Sequence, residues 1–263
     1  MIFTDQMQRV VQLNDRPKRI ISLVPSQTEL LADLGLEEEV IGITKFCIYP
    51  EKWFRSKTRV GGTKQLNIEL IRSLKPDLII GNKEENTAED ISNLEGIAPV
   101  WMSDIYALED ALKMIVSIGE IVSKKRESEL MVKKIQEEFN RIKKTPSRRK
   151  VLYFIWKDPE FLAGKNTFID AMLEAVGFAN CCRLERYPAL ADIETIHPDF
   201  IFLSSEPYPF KEEHKDYFKA IFPNAKIVFV DGEMFSWYGS RMLMAPAYFR
   251  RLANELAIDK KCD

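Results

Sequence analysis

The stretch from Lys124 to Lys144, in the middle of a chain of 263 residues, most constrains the fold. It is rich in Lys, Glu, Arg and Gln, which are good helix formers, and it contains neither Gly nor Pro. Its apolar residues recur at helical spacing, which predicts one long helix with a single narrow buried face. These residues are Leu130, Met131, Ile135, Phe139 and Ile142. The sequence Thr145-Pro146-Ser147 predicts the end of the helix.

Two segments on either side of this helix resemble each other. The segment from Ile68 to Ile80 and the segment from Ile193 to Phe202 each read Ile-Glu, a short predicted helical turn, Pro-Asp and a buried strand. The repeat favours two similar lobes, with residues 1–123 and 145–263 joined by a linking helix over 124–144. Because Pro-Asp is also ordinary turn chemistry, a surface helix within one domain stays the alternative.

Both halves alternate short apolar runs with helical patterns. This alternation predicts an α/β fold of two Rossmann-like lobes, with parallel sheets covered on both faces and bridged by one long rigid α-helix. Ser26 and Glu29 predict a capping box for the helix that Gly35 ends. The predicted strands are Arg19–Val24, Val40–Lys45, Leu78–Gly81, Val100–Met102, Val151–Trp156, Phe200–Ser204 and Lys226–Asp231.

The composition excludes several classes of protein. A hydrophobic content of 46% and a charged content of 30% are typical of a soluble globular protein, and a net charge of −2 with scattered basic residues predicts no nucleic-acid partner. No apolar run approaches the ~20 residues of a membrane span. The first residues lack the apolar core of a secretory signal, so either the protein is cytosolic or the export segment is missing. The four cysteines and two histidines show no metal-binding spacing, so no metal site is predicted.

Aromatic residues concentrate just after the predicted strands, where ligands bind in parallel α/β sheets. Together with a few charges they predict a cleft between the lobes that holds a large, flat, partly apolar ligand by stacking. A place in the lobe core is the alternative interpretation, above all for Phe46, Phe154 and Phe235. The candidate ligand-binding residues are Phe46, Tyr49, Glu84, Trp156, Tyr208, Phe235, Trp237, Tyr238 and Arg241.

Four segments resemble the substrate-binding proteins of cobalamin, haem and iron–siderophore ABC importers, the helical-backbone metal receptors with a periplasmic-binding-protein fold. The segments are RIISLVPSQTELLADLG, VGGTKQLNIELIRSLKPDLIIG, SSEPYPFKEEH and DGEMFSWYGSR. The last two are most similar to the cobalamin-binding branch. The resemblance extends from about Arg19 to Leu256 and implies two α/β lobes joined by one long helix, which resists hinge bending.

The resemblance implies a partner and a location. Glu69 and Glu194 match the glutamates with which the cobalamin receptor docks onto arginines of the membrane permease of an ABC importer. The alternative is that each glutamate only begins a helix, where negative charge is favourable. The family implies a monomer that works in the periplasm or at the cell surface, and a cytoplasmic location stays open because no leader is evident.

The resemblance implies a corrinoid (cobalamin-like) ligand, with no further cofactor required. Tyr49 and Arg241 match receptor residues at the ligand, and Tyr187 lies one residue out of step with a further one. Lys64 is a candidate ligand contact within VGGTKQ, but Thr63 replaces a stacking Trp of the receptor. The ligand therefore stays open among a corrinoid, haem and a ferric chelate, and Tyr49 could either stack or bind iron through its phenolate.

Two alternatives to an importer receptor are a chelatase-like enzyme and a cytosolic corrinoid- or tetrapyrrole-binding protein. A chelatase would require a histidine and a carboxylate at the ligand, whereas His197 lies in the Pro-Asp turn and His214 follows two glutamates on a predicted helix. No G-x-S-x-G motif, Ser–His–Asp order or phosphate-binding glycine loop is present. The sequence therefore predicts a binding protein with no catalytic residues.

Overall fold

The computed structural model describes residues 1–142, 149–194 and 196–258. Contacts between residues divide the described chain into two compact units. Unit 1 consists of Met1–Ile105, Glu109–Lys134 and Tyr238–Arg241. Unit 2 consists of the described residues of Tyr106–Leu108, of Ile135–Trp237 and of the chain from Met242 onward.

Unit 1 is built on a wholly parallel sheet. Its strands are β1 (Ile2–Thr4), β2 (Val10–Gln12), β3 (Ile20–Ser22), β4 (Val40–Ile43), β5 (Thr58–Arg59), β6 (Gly61–Gly62), β7 (Gln65–Leu66), β8 (Leu78–Asn82) and β9 (Val100–Ser103). The parallel sheet has the order β5-β4-β3-β8-β9, while β1 pairs with β2 and β6 pairs with β7 as antiparallel hairpins. The helices of this part of the chain are α1 (Pro25–Asp33), α2 (Glu51–Ser56), α3 (Ile68–Ser73), α4 (Ala88–Glu95) and α5 (Leu108–Ile121).

The burial of the central strands explains why they read as continuous apolar runs. Every residue of β3 and β8 is buried, as a parallel sheet covered on both faces requires. Ile20, Ile79 and Trp101 are fully buried, and burial of such a side chain contributes about 1.5–3 kcal/mol. The predicted strands of this unit are confirmed, with ends that differ by a few residues.

The start of α1 differs from the predicted capping box. Val24, rather than Ser26, is the N-cap residue, and no side chain caps the helix. Pro25 occupies the first helical position, where the missing N–H has no intrahelical partner to lose. Glu29 therefore lies beyond the first turn, and its carboxylate is available for another partner. Gly35 follows the helix with a φ of +76°, as predicted.

Unit 2 contains a second sheet that is parallel in its centre. Its strands are β10 (Lys150–Trp156), β11 (Phe161–Leu162), β12 (Ala179–Asn180), β13 (Phe200–Ser204) and β14 (Lys226–Val230). Parallel pairing joins β13 to β10 and β14, β12 also pairs parallel with β10, and β11 is antiparallel to β10. The helices are α7 (Phe168–Val176), α8 (Lys215–Ile221), α9 (Gly232–Ser236) and α10 (Ala245–Ile258). Leu152, Phe154, Ile201 and Phe218 form the centre of one buried cluster.

The predicted mid-chain helix is α6 (Lys125–Asn140). Its residues up to Lys134 group with unit 1 and those from Ile135 with unit 2. Ile135 and Phe139 are buried as predicted, whereas Leu130 is half exposed. The helix ends at Asn140, so the predicted continuation through Arg141 and Ile142 is wrong, and the predicted stop at 145–147 lies outside the described residues. Within the described ranges, no helix is long and apolar enough to cross a membrane.

The two copies of the Ile-Glu repeat fold differently. In unit 1 the repeat begins α3, whose N-cap Asn67 accepts a hydrogen bond from the Leu70 N–H at 3.0 Å. In unit 2 the described residues Ile193, Glu194 and Ile196 are not helical, so the predicted helical turn there is wrong. A short 3₁₀ turn, Leu190–Asp192, precedes them instead. The strand that follows the Pro-Asp turn is present in both units, and the predicted α/β class with parallel sheets is confirmed.

Candidate functional site

A buried polar cluster fixes the carboxyl ends of the strands in unit 1. Gln27, at the start of α1, donates from Nε2 to the Gly81 carbonyl at 3.1 Å and to Ser103 Oγ at 2.6 Å. Asn82 Nδ2 donates to the same Ser103 Oγ at 2.9 Å. These bonds tie α1, β8 and β9 together, and each such bond contributes about 1 kcal/mol. No local sequence pattern predicts this cluster, because its members are far apart along the chain.

The loop that carries Glu84 is ordered by its own asparagines. Asn82 Oδ1 accepts the backbone N–H of Glu84 at 2.9 Å, and Asn86 Oδ1 accepts the backbone N–H of Asn82 at 2.9 Å. Asn86 Nδ2 then donates to the Thr63 carbonyl at 2.9 Å, which joins this loop to the turn that carries Lys64. Glu84 is half-buried and Lys64 is exposed. Glu84 and Lys64, both candidate ligand-binding residues, therefore lie on loops that hydrogen bonds join to each other.

Phe46 and Tyr49 follow β4 and remain open to solvent. Phe46 is 50% exposed, so the core interpretation of this residue is wrong. The Lys45 ammonium lies 5.1 Å from the centre of its ring. Tyr49 is 38% exposed, and the Arg241 guanidinium carbon lies 4.5 Å from its ring centre. Each exposed ring is therefore accompanied by a cation, an arrangement that contributes about 0.5–1 kcal/mol at exposed sites.

Arg241 is held by a carboxylate of α1. Its Nε donates to Glu29 Oε2 at 2.9 Å and its Nη2 donates to Oε1 at 2.6 Å, which is the bidentate geometry of a strong charge-assisted pair. The two side chains are 7% and 15% exposed. Burial raises the pKa of the Glu29 carboxyl above its ordinary value, although the hydrogen bond and the charge of Arg241 oppose this. Arg241 therefore contacts Glu29 and Tyr49, and its predicted contact with a ligand stays a prediction.

In unit 2, Trp156 and Tyr208 form a pair at the carboxyl ends of β10 and β13. Trp156 is 41% exposed, and its ring centre lies 5.6 Å from that of Tyr208 in an edge-on arrangement. Tyr208 Oη lies 3.1 Å from His214 Nε2, while His214 Nδ1 accepts the Lys211 N–H at 2.9 Å. Since Nδ1 is an acceptor, the proton of the neutral imidazole is on Nε2 and is donated to Tyr208. His214 thus fixes the ring that supports Trp156.

Tyr187 is half-buried and lies beside a cation. The Arg186 guanidinium carbon is 5.7 Å from the Tyr187 ring centre and 5.4 Å from that of Tyr106. Arg186 has a φ of +63°, an uncommon conformation for a residue with a side chain. The bend that this φ produces precedes Tyr187 directly, in the segment where the sequence predicts a ligand contact.

The remaining aromatic candidates lie in the interior. Phe235 is fully buried, with its ring centre 5.2 Å from that of Tyr153 and 4.8 Å from that of Phe249, so its side chain belongs to the core. Trp237 is buried too, and its Nε1 donates to Glu206 Oε1 at 3.0 Å. Tyr238 is 8% exposed. Phe235 therefore has the core role that sequence alone left as its alternative.

The two candidate docking glutamates are exposed. Glu69 lies in the first turn of α3, and its Oε1 is 3.7 Å from Arg72 Nε. Glu194 lies at a groove of about 370 Å³ in unit 2, whose apolar lining includes Ile193, Ile221 and Phe222. Both carboxylates are therefore accessible to a partner.

In the described part of the chain, no group of three or more His, Cys, Asp or Glu residues is placed to hold a metal ion.

The family model described as periplasmic binding protein matches residues 20–221. The chain belongs to the periplasmic binding protein family. This membership confirms the resemblance to periplasmic binding proteins that the sequence segments indicate. It also confirms the prediction of a binding protein rather than an enzyme.

Two curated relatives illustrate the range of the family. The chain is 30% identical over 187 residues to an uncharacterized ABC transporter substrate-binding lipoprotein, YvrC, of Bacillus subtilis (67% of this chain, 59% of the relative). It is 24% identical over 205 residues to a cobalamin-binding protein of Halobacterium salinarum (74% of this chain, 55% of the relative). The matched part of this chain thus spans little more than half the length of these relatives.

Two solved structures share the fold. The periplasmic haem-binding protein RhuT of Roseiflexus sp. RS-1, in its apo form, superposes with a TM-score of 0.75 at 21% identity and covers 90% of this chain and 99% of its own. The siderophore-binding protein BauB, solved with ferric iron and two molecules of acinetobactin, has a TM-score of 0.78 at 15% identity over 95% of this chain and 97% of its own. At these identities the likeness concerns the fold.

Proposed function

We propose that this protein is a solute-binding receptor that captures a corrinoid, a cobalamin-like metal chelate, and delivers it to an ABC importer. The observation that carries the proposal is the set of exposed aromatic rings at the carboxyl ends of parallel strands. Phe46 and Tyr49 follow β4 in unit 1, and Trp156 ends β10 in unit 2. Side chains of this kind bind flat ligands by stacking, and water does not hydrate them well.

The choice of a corrinoid rests on the sequence segments from Ser204 to His214 and from Asp231 to Arg241, which are most similar to the cobalamin-binding branch. The cobalamin-binding relative supports it. A corrinoid is broad, and its flat ring has apolar faces that can stack on an exposed ring such as that of Tyr49, while Lys64 and Glu84 are placed on loops of the same unit from which they can reach polar substituents. The receptor acts as a monomer outside the cytoplasmic membrane.

Titration of the purified protein tests the ligand. Dicyanocobinamide, cyanocobalamin, haem and ferrichrome are added separately, and binding is followed by absorbance and by calorimetry. A corrinoid is expected to bind with micromolar or tighter affinity and to saturate at one per chain. Tight binding of haem or ferrichrome without corrinoid binding would replace the corrinoid by another chelate, and binding of none of the four would overturn the receptor role.

The ring variants sharpen this test. Tyr49→Ala and Trp156→Ala are each expected to weaken corrinoid binding about tenfold, the equivalent of ~1.4 kcal/mol. Phe229→Ala removes a ring that is 36% exposed but lies within β14, and it serves as the matched control with unchanged affinity. Equal losses in all three variants would contradict a specific stacking role.

Delivery to the importer is tested separately from binding. Because Glu69 and Glu194 are exposed, we propose that they dock onto basic residues of the permease. The double variant Glu69→Gln/Glu194→Gln is expected to abolish corrinoid uptake by cells and to leave the affinity of the purified protein unchanged. Glu129→Gln, on the exposed side of α6, is the control. Unaltered uptake by the double variant would refute the docking role.

A further inference from the structure

The segment Tyr238–Arg241 packs against the start of α1 within unit 1. Gly239 has a φ of +105°, and a Cβ at this position would lie 3.0 Å from the Ser26 carbonyl oxygen. Only glycine combines that conformation with so close an approach. The backbone that carries Arg241 is therefore fixed next to the helix that carries Glu29.

Arg241 has little freedom to rotate. Two of its nitrogens bind the two oxygens of the Glu29 carboxylate, at 2.9 and 2.6 Å, and the Arg241 side chain is 7% exposed. A planar fork bound at two points has its orientation defined about the axis of the pair. The guanidinium carbon then lies 4.5 Å from the centre of the Tyr49 ring, so the cation is close to the ring.

Lys45 and Phe46 provide a contrast within the same loop. Lys45 is exposed, and its ammonium lies 5.1 Å from the Phe46 ring centre at the end of a flexible side chain. A lysine of this kind follows the ring rather than restraining it. The Tyr49 ring, in contrast, is next to a cation that is itself anchored in the interior.

We propose that Arg241 is a positioning residue for Tyr49: anchored by Glu29, it holds the Tyr49 ring in the orientation that stacks on a flat ligand, and it does not contact the ligand itself. The inference rests on the proposed function for the stacking step alone. A ring that is ordered before the ligand arrives loses less conformational freedom on binding, and the gain appears as affinity. The sequence matches Arg241 to a residue at the ligand, and the geometry gives it an indirect role.

A double-mutant cycle in the full-length protein tests the proposal, with dicyanocobinamide as the probe. Glu29→Leu/Arg241→Met replaces the buried ion pair by apolar side chains of similar volume, a change that folded proteins often tolerate. This variant is expected to bind dicyanocobinamide about 3- to 10-fold more weakly than the wild type. When the same two substitutions are added to Tyr49→Ala, no further loss of affinity is expected. The control Glu138→Leu/Arg250→Met removes a pair in unit 2, whose Oε2 and Nη2 are 3.1 Å apart, and leaves affinity unchanged.

Two results would overturn the proposal. A loss of equal size with and without Tyr49 means that Arg241 contacts the ligand directly. An unchanged affinity in both backgrounds means that the ion pair serves folding alone. If the variant does not fold, Arg241→Lys, which keeps a charge for Glu29 but not the planar fork, replaces it in the same cycle and is judged by the same outcomes.

A second readout needs no ligand. In NMR spectra of the ligand-free protein, the Arg241 Nε–H signal is expected to exchange slowly with water and to shift when Tyr49→Leu removes the ring. An unshifted signal overturns the positioning role whatever the protein binds. If the wild type binds none of the probes but this signal shifts, the receptor function fails while the contact between Arg241 and Tyr49 stands.

Discussion

The exposed rings of unit 1 and unit 2 are supported in different ways. In unit 1, Tyr49 lies against Arg241, which is anchored to Glu29 from a position 212 residues away along the chain. In unit 2, Trp156 lies against Tyr208, whose hydroxyl meets His214 six residues further on. Removing one partner of a buried charge pair leaves the other charge buried without compensation, which costs much stability. Removing one ring of a ring–ring contact costs only the buried apolar area and the ring pairing itself. Unit 1 should therefore be the more sensitive to single substitutions.

The largest expected effect is the loss of one charge of the buried pair. Arg241→Ala leaves the Glu29 carboxylate in the interior without its main partner, and we expect the free energy of unfolding to fall by about 3–5 kcal/mol. Urea denaturation measures it. Arg250→Ala breaks a pair whose partners are 37% and 26% exposed, and it should cost no more than about 1 kcal/mol. Equal costs for the two variants would contradict the special place of Arg241.

A smaller effect is expected from the ring support in unit 2. Tyr208→Ala removes a half-buried ring that also packs against Phe210 at 4.8 Å, and we expect a loss of about 2 kcal/mol. Tyr208→Phe keeps the packing and removes the hydroxyl that meets His214, so it should lose about 1 kcal/mol. A larger fall in the free energy of unfolding for Tyr208→Ala than for Arg241→Ala, in the same denaturation experiment, would contradict the expected difference between the units.

The pH dependence of stability separates the two supports further. Burial raises the pKa of Glu29 above its ordinary value of 4.5, so the folded protein binds this proton more tightly than the unfolded chain. The contribution of Glu29 to the free energy of unfolding is therefore full below 4.5 and is lost as pH rises through the higher, folded-state pKa. Arg241→Met removes the group that opposes this rise, so the loss should continue to higher pH than in the wild type.

Denaturation at several pH values between about 4 and 8 measures this window. Arg250→Met, whose partner Glu138 is partly exposed, should follow the wild-type curve. A curve for Arg241→Met that turns at lower pH than the wild type would show that the guanidinium is not the group that opposes the rise in the Glu29 pKa.

The smallest effect is expected at Lys45. Because its ammonium is exposed, Lys45→Ala should change the free energy of unfolding by no more than about 0.5 kcal/mol. Its contact with the Phe46 ring, at 5.1 Å, should change the affinity for dicyanocobinamide by no more than about threefold. A loss as large as that of Glu29→Leu/Arg241→Met would remove the distinction between an anchored and a mobile cation.

The contrast between local contacts and contacts far apart along the chain explains what the sequence could predict. The strands, the long helix and the place of Trp156 at a strand end follow from local patterns, since neighbouring residues carry the hydrophobic period and the strand ends. Glu29 was predicted to cap its own helix, because Ser-x-x-Glu is a local motif and its true partner is far along the chain. Similarly, the burial of Phe235 depends on Tyr153 and Phe249, which no pattern around residue 235 reveals.

The Ile-Glu repeat shows that similar sequence segments can still fold differently. Ile-Glu and Pro-Asp recur in both halves, and the strand after each Pro-Asp turn is present. Among the described residues of the two copies, a helix is present only around Glu69, where Asn67 supplies a cap. The residue at the same place before Glu194 is Asp192, whose Oδ2 accepts the Ala189 N–H at 3.1 Å. The two segments thus share their Ile-Glu and Pro-Asp pairs but differ in the direction of one capping side chain.

The account depends on stacking of a corrinoid on exposed aromatic rings, and one titration tests it most directly. Dicyanocobinamide is added to the wild type and to Tyr49→Ala/Trp156→Ala, and the two dissociation constants are compared. If stacking on exposed aromatic rings holds the corrinoid, the double variant should bind about 100-fold more weakly while its unfolding transition stays cooperative. A double variant that binds the corrinoid as tightly as the wild type would contradict the account.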